Sequence, residues 1–462
     1  MQEVTLEQML AARETRAAYQ QKLLTTYRCP LVSFTMNIAG PVKTSPLIER
    51  AFDMGLAELI SCLPASEILF KDVQKEKTGC QAMLAVNMDA DKLKKICTDI
   101  EDASKLGRLF DMDVLVSDGG KLDRSSVNGS ARNCLVCGAP GRGCAARRLH
   151  AVSELQAVTY SIMKEYFAAV DSERIAALAV QSLRDEVYTT PKPGLVDRRN
   201  NGSHNDMNLE LFLCSADALK PYFSECVRIG METCHLLPHE TFPLLRTAGI
   251  KAEQTMYQAT GGVNTHKGAI YTMGILCGAL GRLWAPEKPL SAPIKRLPEE
   301  CAHMVTPHVK ADFKAIEALR RISASNNSAS EITAGGRLYL ESGLTGIRGE
   351  VAAGLPSVTH IALPVYTKAL QDGLHPNDAG AVALLHLIAG VSDTNLYHRG
   401  GLEGATFAAN AARTLLESTA YPSTNQLEAL DDAFIAKKLS PGGCADLLAV
   451  TYFLYHLTHK PL

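Results

Sequence analysis

The amino-acid sequence predicts an α+β protein, with an N-terminal domain of mixed α/β structure followed by an all-α domain. Its 462 residues exceed the roughly 100–200 residues of a single compact domain. Strand-like and helix-like patterns alternate over the first part of the chain, whereas long alanine- and leucine-rich segments fill the remainder. We therefore expect two domains, at residues 1–170 and 171–462.

The expected elements of the N-terminal domain follow two different hydrophobic periods. Apolar residues have helical spacing in Val4–Leu24 and in Ser45–Glu58. Apolar runs typical of strands occupy Leu31–Ile38, Gln81–Val86 and Phe110–Val116. Helices and strands mixed along one segment indicate an α/β or α+β domain of about 170 residues.

The boundary between the domains is inferred from helix start signals. Residues 153–156, Ser-Glu-Leu-Gln, have the sequence of a capping box and open an amphipathic run. Asp171 and Ser172 are typical N-cap residues for a second helix, expected over 173–188. We place the boundary beside this second cap.

The C-terminal domain is expected to consist of helices, because strand patterning is scarce there. Glycine, proline or asparagine bounds each apolar segment. The serine- and asparagine-rich stretch Ser323–Ser330 is expected to be an exposed, flexible loop. The expected helices include Ile175–Tyr188, Leu209–Arg228, Ala269–Trp284, His308–Ser323, Ala379–Val391, Ala405–Ser418 and Asp446–His459.

Composition and charge exclude several classes of protein. The net charge is 47 − 49 = −2, which argues against a nucleic-acid or anionic-membrane partner. The longest apolar stretches are too short or too interrupted to span a membrane. The N-terminus has no apolar signal region, so we expect a cytoplasmic protein whose 13 cysteines are reduced thiols.

Two aspartates near residue 112 are the first candidate catalytic pair. Asp111 and Asp113 lie in a strand-like run after Gly107 and Arg108. Side chains two apart on a strand point to the same side, so the two carboxylates should lie together. Paired carboxylates repel unless a cation lies between them, and Mg²⁺ on a phosphate chain is a common solution. The pair therefore predicts a nucleotidyltransferase-like domain in which Arg108 adds a phosphate contact.

The same spacing also has an ordinary explanation. Chance supplies about one such pair in a chain of this composition, and a second pair, Asp89 and Asp91, lies in a polar turn-like segment. A third carboxylate often completes a nucleotidyltransferase site, and Asp118 or Asp123 is a candidate for it.

Three cysteines and a histidine form a candidate metal site. The spacing Cys134-x2-Cys137-x6-Cys144-x5-His150 is typical of a loop held by Zn²⁺. The alternative is three thiols without a ligand, next to an arginine-rich loop that binds anions.

Clusters of glycine with charged or amide residues mark the turns of the C-terminal domain. One such turn, with Gly262, Asn264, His266 and Lys267, leads directly into a helix. Backbone N–H groups at a helix N-terminus favour anions, so this turn is a candidate phosphate site. Together the clusters indicate a binding site carried by loops. The other clusters contain Lys192, His204, Asp206, Arg348, Asp393, Asn395, Arg399 and Asp446.

These motifs resemble two known families. The C-terminal part resembles the triphosphoribosyl-dephospho-coenzyme A synthases over nearly all of residues 172–462. The N-terminal part resembles the holo-acyl-carrier-protein synthase of citrate lyase, through Gly107–Val114 and the segment from Arg132 to His150. The C-terminal resemblance is carried by Pro191–Asp197, His204–Met207, Gly262–Gly268, Gly346–Glu350, Asp393–Asn395 and Ser440–Leu448.

The resemblance implies a bifunctional enzyme. Its C-terminal domain would join ATP to 3′-dephospho-coenzyme A with release of adenine, the coenzyme's ribose 2′-hydroxyl displacing the base. Its N-terminal domain would transfer phosphoribosyl-dephospho-coenzyme A to a serine of the acyl carrier (γ) subunit of citrate lyase, with release of pyrophosphate. Asp111 and Asp113 would hold Mg²⁺ on the triphosphate in this second reaction.

The resemblance also suggests roles for the residues of the C-terminal motifs. Asp206 and Asp393 are the candidates for the carboxylate that deprotonates the hydroxyl or stabilises the cationic transition state, and one of them would hold Mg²⁺. His204 or His266 would assist the departure of adenine. The phosphate- and substrate-binding candidates are Lys192, Gly262, Asn264, Lys267, Arg348, Asn395 and Arg399.

Three alternatives remain open at this point. The same two reactions also serve malonate decarboxylase, and the motifs do not separate the two systems. A non-catalytic nucleotide sensor with a zinc-bound adaptor loop would bind ATP without turnover. For single residues, Asp393 and Asp446 are also explained as helix caps.

Overall fold

The computed structural model describes residues 2–116, 118–326 and 334–459. The chain forms two compact units, one of Met1–Ala169 with Ala285–Pro289 and the other of Val170–Trp284 with Leu290–Leu462. Helices predominate, and a four-stranded antiparallel sheet lies in the first unit. The expected α+β class is therefore confirmed for the chain as a whole.

The first unit contains five helices and four strands. Short 3₁₀ turns at Ala65–Glu67, Gly107–Leu109 and Arg124–Val127 join some of them. In chain order the elements are α1 (Leu6–Tyr27), β1 (Leu31–Met36), α2 (Pro46–Ser61), β2 (Ile68–Glu76), β3 (Gly79–Val86), α3 (Ala90–Ala103), β4 (Phe110–Leu115), α4 (Gly141–Arg147) and α5 (Val152–Tyr188), the last of which continues into the second unit.

The sheet has the strand order β2-β3-β1-β4, and every neighbouring pair is antiparallel. One of its faces is apolar: Phe34 stacks on Phe52 of α2, and Phe110 meets Phe34 edge to face. On the other face, Leu23 and Leu24 of α1 belong to a small apolar cluster with strand residues. The sheet is therefore covered by helices on both sides.

Strand β4 alternates as the sequence predicts. Phe110, Met112 and Val114 are fully buried, whereas Asp111 and Asp113 are partly exposed on the opposite face. The pairing of β1 with β4 sets Ser33 opposite Asp113. The two carboxylates therefore share the face of the sheet on which α1 packs, as expected from their spacing.

One continuous helix, α5, replaces the two helices expected around residue 171. The predicted N-cap at Asp171 and Ser172 is wrong, because both residues are buried within this helix. The Asp171 carboxylate accepts a hydrogen bond from the Trp284 indole at 2.8 Å. This polar pair, which has the sequence pattern of a helix cap, thus makes tertiary hydrogen bonds instead. No residue between 152 and 188 interrupts the helix.

The described residues of the second unit form helices beyond α5, as its sequence predicts, and Ser357–Ala362 is a π-helical turn. The expected helix over 209–228 is two helices, because Pro221 lies in the first turn of the second. The helices are α6 (Leu209–Ala218), α7 (Lys220–Thr233), α8 (Pro238–Ala259), α9 (Lys267–Leu283), α10 (Leu297–Asn326), α11 (Ala334–Ser342), α12 (Gly346–Ala352), α13 (Leu363–Gln371), α14 (Pro376–Gly390), α15 (Thr394–Ser418, kinked at Gly401), α16 (Thr424–Ala436) and α17 (Gly442–His459).

Close packing fixes the helix that leads out of the glycine-rich turn. A Cβ atom on Gly230 of α7 would lie 2.0 Å from the Gly278 carbonyl oxygen of α9, and one on Gly281 would lie 2.1 Å from the Val227 carbonyl oxygen. Any larger residue would separate the two backbones. Helix α9 is therefore held directly against α7, which gives the residues at its N-terminus a rigid support.

Two further predictions concern the loop at 323–330 and membrane-spanning helices. Of the loop predicted at 323–330, the first four residues end α10, and the others lie outside the described residues. No single described helix has both the length and the apolar composition needed to cross a membrane. The bent pair Pro376–Gly390 and Thr394–Ser418 satisfies these two criteria only when taken together.

Candidate functional site

A cavity of about 860 Å³ in the second unit collects most of the sequence-predicted residues. Helices α9, α15 and α17 begin at it, with Lys267, Thr394 and Gly442 among the lining residues. The predicted residues that line it are Lys192, His204, Asn264, His266, Lys267, Arg348, Asp393, Asn395 and Arg399. Asp206 and Gly262 are exposed and do not line it.

Asp393 acts as a helix cap in this cavity. One carboxylate oxygen accepts the backbone N–H of Asn395 at 2.7 Å and that of Leu396 at 3.2 Å, and the other accepts the N–H of Cys444 at 2.8 Å. Burial raises the pKa of Asp393 in spite of these hydrogen bonds. The side chain therefore joins the start of α15 to the start of α17, which limits its freedom to accept a proton from a substrate.

Asp446 is the carboxylate that the sequence reasoning left unassigned. It is the fifth residue of α17, lines the cavity, and accepts a hydrogen bond from the backbone N–H of Ala269 in α9. A Cβ atom on Gly268 would lie 1.9 Å from its carboxylate, so only glycine allows this approach. Burial, Glu186 and Asp393 raise the pKa of Asp446 well above its usual value.

Two glutamates complete a cluster of four carboxylates that line the cavity. Glu186 is buried near the end of α5, and burial raises its pKa although the Lys192 ammonium group pairs with it. Glu350 accepts the backbone N–H of Ser357 at 2.7 Å and its hydroxyl at 3.0 Å, and burial raises the pKa of Glu350. We call Glu186, Glu350, Asp393 and Asp446 the cavity carboxylates.

The contacts of Lys192 do not match the predicted phosphate ligand. Its ammonium group donates to the backbone carbonyl of Glu186 at 2.8 Å and pairs with the Glu186 carboxylate. Only 1% of the residue is exposed, so the charge of this lysine is neutralised inside the protein. Lys192 holds the end of α5 against the following loop.

That loop, which carries Lys192 and His204, is fixed by two further buried carboxylates. Asp197 accepts the backbone N–H of Lys192 at 2.9 Å. Asp431 of α16 accepts the backbone N–H of Gly194 at 2.8 Å. Both carboxylates accept hydrogen bonds from backbone N–H groups of the loop. They therefore hold this wall of the cavity in position, and neither lines the cavity.

His204 is held in one tautomer by its two neighbours. The Arg399 guanidinium donates to its Nδ1 at 3.0 Å, so the Nε2–H group donates to the Ser440 hydroxyl at 2.9 Å. Burial and the charge of Arg399 lower the pKa of His204, and the exposed Asp206 opposes them weakly. His204 is therefore a neutral link between two loops of the cavity.

His266 presents a different arrangement. Its Nδ1 lies 2.8 Å from the Ser215 hydroxyl, which itself accepts a hydrogen bond from Thr265. The Ser215 hydroxyl proton is free to be donated to Nδ1, and in that tautomer the ring proton is on Nε2. Nε2 is buried and has no hydrogen-bond partner among the described residues. Burial and Lys192 lower the pKa of His266 to about 3, so the ring is neutral.

Three cations besides Lys192 lie among the residues lining the cavity. Lys267 is about half exposed and pairs with Glu253 at 2.8 Å, and Arg348 lies 4.0 Å from Asp312. Arg399 also donates to the carbonyl of Ser203 at 2.9 Å. Cations of this kind are suitable donors for phosphate oxygens.

The paired aspartates of the first unit have cationic neighbours. Burial and Asp111 raise the pKa of Asp113, while Lys121, 2.5 Å away, opposes this shift. Burial lowers the pKa of Arg16 on α1, and the charges of both aspartates oppose that lowering. Arg13 lies close enough to Arg16 and to Lys43 for its like charge to act on both. Sequence reasoning missed Arg16, because only the packing of α1 on the sheet brings it near β4.

The other candidates near β4 have local structural roles. The Arg108 guanidinium donates to the carbonyl of Asn133 at 2.5 Å. Asp118 accepts the N–H of Gly120 at 2.7 Å, and Asp123 caps the 3₁₀ turn through the N–H of Ser125 at 2.9 Å. None of these contacts by itself indicates a third catalytic carboxylate.

The four residues of the predicted zinc loop come together. The ligand atoms of Cys134, Cys137, Cys144 and His150 all lie within 4.8 Å of one another. The two sulfur atoms of Cys137 and Cys144 are 3.4 Å apart.

Each unit thus has a set of charged groups suited to a phosphate-bearing substrate. Residues 172–461 match the family model of the ATP:dephospho-CoA triphosphoribosyl transferases, and residues 4–166 match that of the apo-citrate lyase phosphoribosyl-dephospho-CoA transferases. The chain therefore belongs to the ATP:dephospho-CoA triphosphoribosyl transferase family, with the second family's domain fused at its N-terminal side. Both resemblances expected from the motifs are confirmed.

Full-length relatives share the fused arrangement. The chain is 36% identical to Protein CitXG of Haemophilus influenzae over 97% of its length and 96% of the relative. It is 31% identical to Protein CitXG of Leuconostoc mesenteroides over 98% and 97% of the two lengths. The 2-(5''-triphosphoribosyl)-3'-dephosphocoenzyme-A synthase of Klebsiella pneumoniae is 38% identical, over 62% of this chain and 91% of that protein. These matches favour neither malonate decarboxylase nor a nucleotide sensor.

Proposed function

We propose that the second unit makes 2′-(5″-triphosphoribosyl)-3′-dephospho-CoA from ATP and 3′-dephospho-CoA. We propose that the first unit then transfers the phosphoribosyl-dephospho-CoA group to a serine of the acyl carrier (γ) subunit of citrate lyase. The boundary near residue 171 would separate the two activities. The main observation in support of the first activity is a cavity lined by five carboxylates, among them the four cavity carboxylates, and by four cations.

The first reaction exchanges one substituent at the anomeric carbon of the ATP ribose. A bond forms from this carbon to the 2′-oxygen of dephospho-CoA, and the bond to N9 of adenine breaks. The 2′-hydroxyl loses its proton to a base, and the departing adenine takes up one proton from solvent. Such substitutions pass through an oxocarbenium-like state, which a nearby carboxylate stabilises.

Asp446 is our candidate for the base. Asp393 uses three acceptor positions as a cap, and Glu186 is paired with Lys192, whereas Asp446 has only the N–H of Ala269 against it. A carboxylate with a raised pKa accepts a proton more readily than an ordinary one, which suits a general base.

His266 is our candidate for the group that assists adenine. Its unpartnered Nε2–H is a hydrogen-bond donor beside the cavity, and Phe212 packs edge to face on the ring at 5.1 Å. A donor to a purine ring nitrogen would stabilise negative charge as the bond to N9 breaks. The low pKa of His266 supports a neutral hydrogen-bond donor in place of a charged acid.

The donor set of the cavity fits Mg²⁺. Asp393 and Glu350 would hold the ion, since hard oxygen donors are its preferred ligands. Burial raises the pKa of both carboxyl groups. Bound there with the triphosphate, Mg²⁺ would neutralise phosphate charge. Lys267, Arg348 and Arg399 would bind the remaining phosphate oxygens.

Mg²⁺ is expected to raise the melting temperature of the protein more at about pH 8 than at about pH 6. The pKa values of the cavity carboxylates are raised in the folded state, so the folded chain binds more protons than the unfolded chain. The metal-free free energy of unfolding therefore falls as pH rises above the ordinary pKa of a carboxyl group, about 4. If bound Mg²⁺ offsets about 1–2 kcal/mol of this loss, the melting temperature should rise by several degrees in a domain of this size.

Differential scanning fluorimetry with and without MgCl₂ at the two pH values measures this effect. Asp446→Asn removes one negative charge from the cluster, so it should raise the metal-free melting temperature at the higher pH and reduce the Mg²⁺-induced rise. An equal Mg²⁺ effect at both pH values, unchanged in the variant, would contradict the carboxylate site.

The second reaction is an attack of the carrier's serine hydroxyl oxygen on the α-phosphorus, with pyrophosphate leaving. Asp111 and Asp113 share one sheet face, and their oxygen donors fit Mg²⁺ on the triphosphate. Arg16 and Lys121, which both interact with the two aspartates, would neutralise charge on the phosphate chain. These two cations support the assignment.

The two products should appear under different conditions. Purified protein with ATP and dephospho-CoA should release adenine in the absence of the carrier. Pyrophosphate should appear only after the apo-carrier subunit is added, together with an increase in the mass of the carrier. Chromatography of adenine and intact-mass analysis of the carrier measure the two steps. ATP binding without adenine release would instead support a nucleotide sensor.

A further inference from the structure

A cluster of three thiols and one imidazole lies in the segment that follows β4, outside both groups of acidic residues. Its four ligand atoms lie within 4.8 Å of one another. In a tetrahedral site with Zn–S bonds of about 2.3 Å, ligand atoms are separated by about 3.8 Å. The 3.4 Å between the sulfur atoms of Cys137 and Cys144 is close to that separation. We propose that Cys134, Cys137, Cys144 and His150 bind one structural Zn²⁺.

The backbone around the first two cysteines is shaped for a metal. The Gly138 N–H donates to the carbonyl of Cys134 at 3.0 Å, and the Cys134 N–H donates to the carbonyl of Ala139 at 2.7 Å. Gly138 has a φ of +71°, which favours glycine. The Ala139 N–H donates to the sulfur of Cys137. This tight turn points both sulfur atoms to one side, and an N–H donor stabilises a thiolate there.

The histidine is oriented for coordination through Nε2. Its Nδ1 lies 3.3 Å from the Glu154 carboxylate in the first turn of α5. Its Nε2 is buried, and the imidazole interacts with the thiol of Cys137. A ligating histidine commonly donates its other ring N–H to a carboxylate, which fixes its tautomer. Glu154 therefore provides the outer contact that a zinc-bound His150 requires.

The segment has little else to hold it together. Among the residues between Val114 and Thr159 whose burial is described, Cys144 alone is buried. Leu149 is 59% exposed, so its side chain adds no core. Short segments without a core are commonly stabilised by a metal. The alternative of three idle thiols does not explain why they converge with a histidine here.

Zinc would also support the group around β4. The carbonyl of Asn133, next to the first cysteine, accepts from Arg108, and Arg132 donates to the carbonyl of Phe110 at 2.8 Å. Arg132 also pairs with the buried Glu101 at 2.5 Å. The zinc segment is thus tied to the strand that carries Asp111. Loss of the metal should impair carrier transfer but not adenine release; this consequence, unlike the metal site itself, rests on the proposed function.

Metal analysis of the full chain tests the site directly. Protein purified without chelators from zinc-supplemented cells should contain about one Zn²⁺ per chain by mass spectrometry of the metal. Cys137→Ser and Cys144→Ser should each lose most of it. Cys62→Ser, at an exposed cysteine of the same unit, is the matched control and should retain it.

Cobalt substitution and proteolysis provide readouts that do not depend on activity. Co²⁺ bound to the wild-type chain should give the visible absorption of a tetrahedral thiolate site, and both variants should lack it. Tryptic cleavage at the exposed Arg147 and Arg148 should accelerate in the variants, while undiminished adenine release shows that the second unit is folded. A reduced wild-type chain that contains no zinc and takes up no cobalt would overturn the proposal, as would equal metal loss in Cys62→Ser.

Discussion

Asp446→Asn is expected to lower the rate of adenine release by about 10³-fold while leaving transfer of a preformed triphosphoribosyl-dephospho-CoA to the carrier unchanged. General-base catalysis contributes about 10²–10⁴-fold in enzymes, and the proposed mechanism gives this role to Asp446. Asparagine keeps an oxygen that can accept the N–H of Ala269, so the start of α9 should stay in place. Steady-state assays of adenine should show the loss in kcat, with the KM for ATP changed little.

Asp206→Asn is the informative comparison for this variant. The sequence motif nominates Asp206, whereas the structure leaves it exposed and outside the lining of the cavity. If Asp446 is the base, Asp206→Asn should keep adenine release within a few-fold of the wild-type rate. The reverse result, a severe loss at Asp206 with an active Asp446→Asn enzyme, would contradict the assignment. Asp217→Asn, in an exposed pair with Arg184, controls for a general effect of removing an acid.

The sequence located the cavity of the second unit better than it assigned roles within it. Glycine-bearing turns such as the one before Lys267 are visible as local patterns, and helix starts are local features as well. Roles depend on distant partners. The sequence motif suggests a catalytic role for Asp393. In the structure its carboxylate accepts a hydrogen bond from the backbone N–H of Cys444, 51 residues later. Glu186 lies in an ordinary helical sequence, and only folding places it beside Asp446.

One signal for Asp446 was present in the sequence. Gly268 is the last residue of a conspicuous motif, and its lack of a side chain is what admits the Asp446 carboxylate to the start of α9. A glycine inside the first turn of a helix is unfavourable unless something must approach closely. The identity of the approaching group, however, depends on how α9 and α17 pack, which no local pattern specifies.

The fold could be predicted where the pattern was strong and local. The alternation in β4 was sufficient to set Asp111 and Asp113 on one face. The cap expected at Asp171 failed because the carboxylate bonds to Trp284, 113 residues away. An Asp-Ser pair has the same local sequence pattern at the start of a helix as inside a long helix. The two cases differ in whether a residue distant in the sequence packs against the pair.

Asp111→Asn is expected to lower the rates of carrier labelling and pyrophosphate release by about 10²–10³-fold, while adenine formation continues at the wild-type rate. Electrostatic stabilisation of a transferring phosphoryl group is commonly of this size. Asp111 shares its sheet face with Asp113, and loss of one carboxylate would leave the proposed Mg²⁺ site with half of its charge. Lys121, paired with Asp113, cannot replace it because it carries the opposite sign.

The control for this variant is Asp53→Asn in the same unit. Asp53 pairs with Lys75 at 2.6 Å on the surface, so its loss should change neither reaction by more than about twofold. Adenine formation provides the second control, since a variant that retains it has an intact second unit. Loss of both activities in Asp111→Asn would mean that the two reactions share a site or that the variant is misfolded. Full carrier labelling would exclude Asp111 from the transfer step, and the cations of α1 would then have to act with some other acid.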